Sequence, residues 1–259
     1  MGQRLGQHFL VNKRVIGEII DALAIKAGDL IVEIGSGHGE LTFELAKKPI
    51  RLMAVEKDEQ LAEDLQSRIK NYQLEKVIRI IREDILEELP QISRRLKADS
   101  YKVVGNIPYY LTGFLLRLIS QLDHKPSLIV FTLQKEVAAR IAAQPPQMNL
   151  LAASVQYWAE PKIMALVPAS DFKPKPKVDS AIIRLKIKEN GLGKEEKNYY
   201  QLIKMLFRQP RKTILNNLAV GLGKDKERIK EKLTSLGLNE KARPQNLTLE
   251  TIKQIASSF

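Results

Sequence analysis

Short apolar runs recur through the first half of this chain, each followed by a stretch with helical spacing. That alternation constrains the fold more than any other feature. LIVEI (30–34), RLMAVE (51–56), VIRII (77–81), YKVVGN (101–106) and SLIVFTL (127–133) read as five strands. The glycine-rich GSGHG (35–39) and the helical ELTFELAKK follow the first strand, and a polar helix from about Asp58 to Ile69 follows the second. An apolar helix over roughly Leu111–Leu122 follows the fourth, and QKEVAARIAA follows the fifth. Strands and helices of these lengths in alternation specify βαβ units and a parallel sheet. Because the strands are apolar throughout, helices must cover both faces. Upstream, Val15, Ile16, Ile19, Ile20 and Leu23 share one helical face within residues 13–26, with Asn12 placed to cap it.

The rhythm changes after a helix near residues 148–157. KIMALVP (162–168) and SAIIRLKI (180–187) are two strands with no helix between them, an antiparallel addition at the sheet edge. KPKPK (173–177) is a short polyproline-like element. From about 189–197 the composition turns helical and charged, and NYYQLIKMLF, RKTILNNLAV, KDKERIKEKLTSLG and TLETIKQIASSF give about four short helices. The expected domains are therefore residues 1–189, an α/β domain, and 190–259, a small helical one. The second is the more basic. It carries 14 Lys and Arg against 7 Asp and Glu, net +7, whereas the first 189 residues reach only +5. A formal charge of +12 concentrated in this way points to a polyanion, most simply nucleic acid, although a solubility surface has the same composition.

Other classes are excluded or unsupported. There is no cysteine, which removes disulfide scaffolds, cysteine-ligated zinc and thiol catalysis, and three dispersed histidines (His8, His38, His124) make no metal site, so no metal is expected. No apolar stretch approaches the ~18 residues of a membrane helix. The N-terminal MGQRLGQHFLVNKR lacks the apolar core of a signal peptide, and Gly6 stands where a myristoylation signal needs Ser or Thr. The expectation is a cytoplasmic protein without a membrane partner, and a monomer.

The candidate site follows the strand ends. Gly35, Gly37 and Gly39 let the chain turn sharply and let a ligand approach the main chain, at a helix start that offers free N–H groups. Glu40 breaks the G-x-G-x-x-G spacing of dinucleotide-binding dehydrogenases. Glu56, ending the second strand, is placed either to accept both hydroxyls of a ribose or to sit solvated in the run EKDE. Asp84 is either a partner for an adenine amino group or, with Glu87, a capping box for the next helix, and the two roles are compatible. Asn106-Ile107-Pro108-Tyr109 ends the fourth strand, at the carboxyl edge where open α/β sheets bind ligands. Pro108 holds Ile107 extended, which aims the Asn106 side chain and the Ile107 carbonyl at the crevice. A plain strand-to-helix turn has the same residue types.

The order G-x-G-x-G, acidic strand end, Asp, then N-I-P-Y resembles the S-adenosylmethionine-dependent adenine N6-methyltransferases, and more closely the ribosomal RNA adenine dimethyltransferase family. The resemblance spans nearly the whole chain through GQHFL (6–10), VEIGSGHGELT (32–42), VEKD (55–58), GNIPYY (105–110), LQKEV (133–137), FKPKPKVDSA (172–181) and FRQPRKTILNNL (207–218). It implies a Rossmann-like class I methyltransferase sheet, mostly parallel with an antiparallel edge strand. It implies S-adenosylmethionine as cofactor, held by His8 and Leu10 above it, Gly35 at its methionine part, Glu56 at its ribose and Asp84 at its adenine, with Gly37 also in the binding loop. Asn106 would touch both cofactor and target amine, with the Ile107 carbonyl as second acceptor and Pro108 fixing the turn. Tyr109 and Phe172 would sandwich the base. Arg208, Arg211 and Lys212 would contact RNA. His8 stands where the family often has Asn, and Pro210 interrupts its usual run of cations. The implied reaction is dimethylation of two neighbouring adenosines in a hairpin loop near the 3′ end of small-subunit ribosomal RNA, naked or within a pre-30S particle. A large-subunit RNA methyltransferase of the antibiotic-resistance class and a non-catalytic ribosome-assembly factor are the alternatives.

Overall fold

The structure, a computed structural model, describes residues 8–96, 100–188 and 196–259. Its described residues fall into two compact units. One runs to Ala138 and resumes over Glu160–Ile187; the other comprises Ala139–Ala159 and the chain from Lys188 onward.

The first unit opens with β1 (Phe9–Leu10) and α1 (Lys13–Ala22). The Asn12 side chain caps α1 by accepting from the Arg14 N–H at 2.9 Å, and Val15, Ile16, Ile19 and Ile20 face inward. Each such buried aliphatic contributes about 1.5–3 kcal/mol. Then come β2 (Leu30–Ile34), α2 (Glu40–Ala46), β3 (Arg51–Val55), α3 (Glu59–Asn71), β4 (Ile78–Ile81), α4 (Ile85–Arg95), β5 (Tyr101–Asn106), α5 (Thr112–Ser120), β6 (Leu128–Gln134) and α6 (Lys135–Ile141). α7 (Leu150–Trp158) precedes β7 (Ala159–Val167), β8 (Phe172–Lys173) and β9 (Ser180–Ile187).

Seven strands form one sheet in the order β4-β3-β2-β5-β6-β9-β7. The pairs β2–β3, β3–β4, β2–β5 and β5–β6 are parallel, and β9 runs antiparallel to β6. This is the expected Rossmann-like architecture. Val103, Val104, Ile129, Val130 and Phe131 are fully buried, as strands covered on both faces must be. The chain leaves β2 towards β3 and β4 on one side and returns to β5 and β6 on the other. That reversal opens a crevice at the carboxyl ends of β2 and β5.

The two late strands form the antiparallel addition expected at the sheet edge, and two details go beyond that expectation. β9 lies inside the sheet and β7 takes the edge. β9 buries Ala181, Ile182, Ile183 and Leu185, whereas β7 exposes Ile163, Met164 and Leu166 and carries Pro161, which an edge strand tolerates. A two-residue ribbon, β1 against β8, pairs Phe9 with Lys173 and Leu10 with Phe172. It is too short to leave a periodic signal.

The second unit contains α8 (Glu196–Leu206), α9 (Ile214–Leu222), α10 (Lys226–Ser235) and α11 (Leu249–Ala256) together with α7. The boundary expected at 189–197 lies largely outside the described residues. The inclusion of residues 139–159 has a packing cause. α7 buries Ala152, Ala153, Val155, Gln156, Tyr157 and Trp158, so it needs cover on several sides. The Tyr157 and Tyr199 rings stack at 4.1 Å, and the Tyr199 hydroxyl donates to the Ala153 carbonyl at 2.9 Å. A change in charge marks where the polar helices begin, not the apolar helix upstream that they enclose.

Candidate active site

The crevice begins where β2 gives way to the glycine loop. The Gly35 N–H extends the ladder to the Val55 carbonyl at 2.8 Å, and the chain then turns away. Gly37 has φ +54°, and a Cβ there would lie 2.9 Å from the Phe9 ring. Gly39, the residue before α2, has φ +88°, and a Cβ would strike Leu65 at 2.7 Å and Phe43 at 2.9 Å. Both positions therefore demand glycine for conformation and for space. The Gly37 N–H points at Glu56, whose Oε2 accepts from it at 2.8 Å while Oε1 accepts from the Asp58 N–H at 2.9 Å. Glu56 is only 4% exposed, so its charge is satisfied by the loop itself.

Beneath the loop, Glu33 of β2 is buried and its Oε2 accepts from the Thr42 hydroxyl of α2 at 2.7 Å. Burial pushes its carboxyl up to about 8; the Thr42 bond opposes this, and the charges of Glu56 and Glu40 add to it. Near neutral pH the proton therefore sits on Glu33.

β5 ends at Asn106, paired in register with Thr132. The Ile107 N–H still reaches the Thr132 carbonyl at 3.2 Å, Pro108 sits at φ −53°, ψ 133°, and a 3₁₀ turn over Tyr109–Leu111 leads into α5. The Asn106 Nδ2 donates to the His8 carbonyl at 2.7 Å. That bond fixes the amide and leaves Oδ1 as its acceptor. The Tyr109 hydroxyl is anchored on Ser180 Oγ at 3.1 Å, which sets the plane of its ring.

A strap from the amino-terminal side closes the crevice. His8 Nδ1 lies 2.7 Å from the Pro174 carbonyl, and β1 pairs with β8. The Val11 N–H reaches the Asp171 carbonyl at 2.9 Å, and Asn12 Nδ2 donates to Asp171 Oδ1 at 2.9 Å. Asn106 therefore uses the His8 main chain, a contact that an Asn at position 8 would keep.

These elements line a cleft formed by His8, Phe9, Gly35, Gly37, Glu56, Asn106, Ile107, Pro108, Tyr109 and Phe172. Eleven residues were expected at the site, and nine of them meet there. Leu10 turns instead into the buried core, and Asp84 lies outside the lining. Asp84 caps α4, accepting from the Leu86 N–H at 2.9 Å through Oδ1, while its Oδ2 takes Lys57 Nζ at 2.8 Å. The oxygen expected to face a ligand is thus occupied by Lys57. Burial raises the Asp84 carboxyl, but the Lys57 and Leu86 bonds outweigh it and hold the group below the ordinary carboxylate range; the same pair raises Lys57. Phe9, Glu33 and Lys57 are the participants the sequence did not reveal. All three sit within quoted motifs, yet nothing in the pattern says what they touch.

Arg208, Arg211 and Lys212 belong to the second unit and are exposed. They ride on the loop before α9, which the buried Asn217 side chain holds. Asn217 Oδ1 accepts from the Gln209 N–H at 3.2 Å and Nδ2 donates to the Gln209 carbonyl at 3.0 Å. Among the described residues, no group of three or more His, Asp or Glu side chains could hold a metal ion, and no helix is long and apolar enough to cross a membrane.

Residues 2–259 match the model of the family described as ribosomal RNA adenine dimethylase. The chain is 37% identical over 255 residues to a ribosomal RNA small subunit methyltransferase A of Dehalococcoides mccartyi, covering 97% of this chain and 86% of that protein. It is 36% identical to the protein of the same name from Shouchella clausii, covering 98% and 88%. In fold it is similar to a dimethyladenosine transferase from Plasmodium falciparum (TM-score 0.81, 22% identity, 96% of each chain). It is also similar in fold to the 23S rRNA methyltransferase ErmE (TM-score 0.75, 22% identity, 96% of this chain and 98% of that one).

Proposed function

The chain belongs to the ribosomal RNA adenine dimethylase family, and from that premise we propose that its cleft dimethylates the N6 amines of two adjacent adenosines in a hairpin loop near the 3′ end of 16S ribosomal RNA, with S-adenosylmethionine as donor. The observation that carries this reading is the fixed Asn106 amide. Its Nδ2 is committed to His8, so Oδ1 is held ready, in the cleft that also contains the glycine loop, to accept from an incoming amine.

The residues fit the donor. A Cβ on Gly37 would press on the Phe9 ring that lines the cleft, and Glu56 keeps a lone pair on each oxygen for a ribose hydroxyl after serving the loop. Gly35 and the His8 segment would hold the methionine part, and Asp84 would take the adenine by sharing its Lys57-bound oxygen. When bound, S-adenosylmethionine supplies an electrophilic methyl on sulfur.

The protein's task is the nucleophile, because an adenine amine delocalises its lone pair into the ring. Accepting the two N–H bonds at Asn106 Oδ1 and the Ile107 carbonyl draws the amine towards tetrahedral geometry and localises the pair. Alignment supplies several kcal/mol more. The base must leave its stack, and stacking on Tyr109 and Phe172 would return about 1–3 kcal/mol per base. Phe172 is 3% exposed, so its ring is already held in place.

Arg208, Arg211 and Lys212 would bind RNA phosphates within the basic helical domain, residues 190–259. The substrate would be small-subunit RNA within a pre-30S particle, met by a cytoplasmic monomer. The test is incubation with methyl-labelled S-adenosylmethionine and a mixture of under-methylated small and large subunits, followed by mapping of modified nucleosides. Dimethyladenosine at two adjacent positions near the 3′ end is expected. Label confined to large-subunit RNA, or none at all, would overturn the reading.

A further inference from the structure

The solvent face of the helical segment that follows the NIPY turn is chemically unusual. Tyr110 and Phe114 are 59% and 67% exposed, and Arg117 is exposed as well. These residues stand at positions i, i+4 and i+7 of the run from the 3₁₀ turn through α5, so they form one stripe. The core-facing side of α5 is supplied by Leu115, Leu116 and Ile119, all buried, so packing does not account for the two rings. A plain solvated helix face would carry polar residues there.

Two neighbours define what the stripe suits. Tyr110 directly follows Tyr109, which lines the cleft, so the stripe continues from the rim of the site. Lys57, paired with Asp84, is in the electrostatic neighbourhood of Tyr110. Exposed aromatic faces interleaved with cations are what unstacked nucleotides need: the rings take bases and the cations take phosphates.

We propose that Tyr110, Phe114 and Arg117 form a platform for the unpaired nucleotides flanking the target adenosine, Tyr110 and Phe114 stacking on bases and Arg117 pairing with a phosphate. The inference rests on the proposed reaction and adds to it the part of the RNA loop that stays outside the cleft. Continuity with the cleft and the cation of Arg117 within the stripe select that occupant. Such a platform holds the loop in register while one base is extruded.

The experiment uses the full-length protein and a small-subunit hairpin RNA carrying 2-aminopurine beside the target adenosine. Wild-type protein is expected to quench its fluorescence by stacking. The double variant Tyr110→Ala/Phe114→Ala is expected to lose the quenching, to bind the hairpin about tenfold or more weakly and to keep wild-type affinity for S-adenosylmethionine. Phe114→Trp should restore stacking, and Arg117→Gln should lower the slope of log K against log[salt] by about 0.7. Unchanged quenching and RNA affinity in the double variant would overturn the platform while leaving wild-type methylation, measured in parallel, to report on the reaction. A wild-type dimer in sedimentation that the double variant dissolves would instead assign the stripe to a second copy of the chain and likewise overturn the proposal.

Discussion

The Glu56 carboxylate and the Gly37 amide are hydrogen-bonded at 2.8 Å, so the acidic residue that ends one strand holds the loop that follows its neighbour. The other Glu56 oxygen holds the Asp58 N–H at 2.9 Å. Loop shape and the proposed ribose recognition would therefore share one buried carboxyl group.

Glu56→Gln tests this. A glutamine has one acceptor oxygen for two N–H donors and would face one of them with its own NH₂. A charge-assisted bond of this kind is worth about 1.5–3 kcal/mol. The variant should lose that order of stability in urea unfolding without any cofactor, and should bind S-adenosylmethionine at least about tenfold more weakly in calorimetry. Unchanged stability would show that the loop does not depend on Glu56.

Lys57→Met releases Asp84. Lys57 helps to hold the Asp84 carboxyl below its ordinary range against the effect of burial, so its removal lets Asp84 protonate at higher pH. Affinity for S-adenosylmethionine, titrated between pH 3.5 and 8, should fall away at a higher pH in the variant than in wild type. Coincident profiles would mean that Asp84 does not take part in binding.

Glu33 makes stability depend on pH. Its carboxyl is raised from 4.5 to about 8 in the fold, so between those values the unfolded chain has lost a proton that the folded one keeps. Stability must therefore fall as pH rises through that window and level off above about 8. Glu33→Gln keeps a neutral side chain at every pH. Urea midpoints should show the variant gaining on wild type from pH 5 to pH 8.5, whereas parallel curves would place the proton elsewhere.

The basic loop offers a separate test. Arg211→Ala should lower the slope of log K against log[salt] for RNA binding by about 0.7–0.9, the contribution of one phosphate contact. Asn217→Ala strips the loop of its support at Gln209, which should cost about 1–3 kcal/mol of stability and weaken RNA binding with the slope nearly unchanged. A slope unaltered in Arg211→Ala would remove that residue from the interface.

Much of this molecule was legible because its signals are local. Five apolar runs with helices between them dictate a parallel sheet, and its topology carries Gly35, Glu56 and Asn106 to one edge whatever the side-chain detail. Hidden from the sequence were relationships set by tertiary contact. β9 displaces β7 from the sheet interior because β9 is the more completely apolar, a comparison between strands that neither shows alone. The β1–β8 ribbon has two residues per strand and no period. Lys57 reaches Asp84 across 27 residues, and Glu33 looks like any strand residue until its burial against Thr42 is seen. Leu10, expected above the cofactor, is buried in the core cluster, and Phe9 packs against the loop.

The central claim is that the fixed Asn106 amide prepares the adenine amine for attack. Single-turnover methyl transfer to under-methylated small subunits, measured for Asn106→Ala beside calorimetric binding of S-adenosylmethionine, tests it most directly. Loss of an interaction that strengthens only at the transition state lowers the rate more than the binding. The account predicts transfer slowed by at least about a hundredfold, with cofactor affinity reduced by less than about tenfold. Near-wild-type transfer in that variant would contradict it.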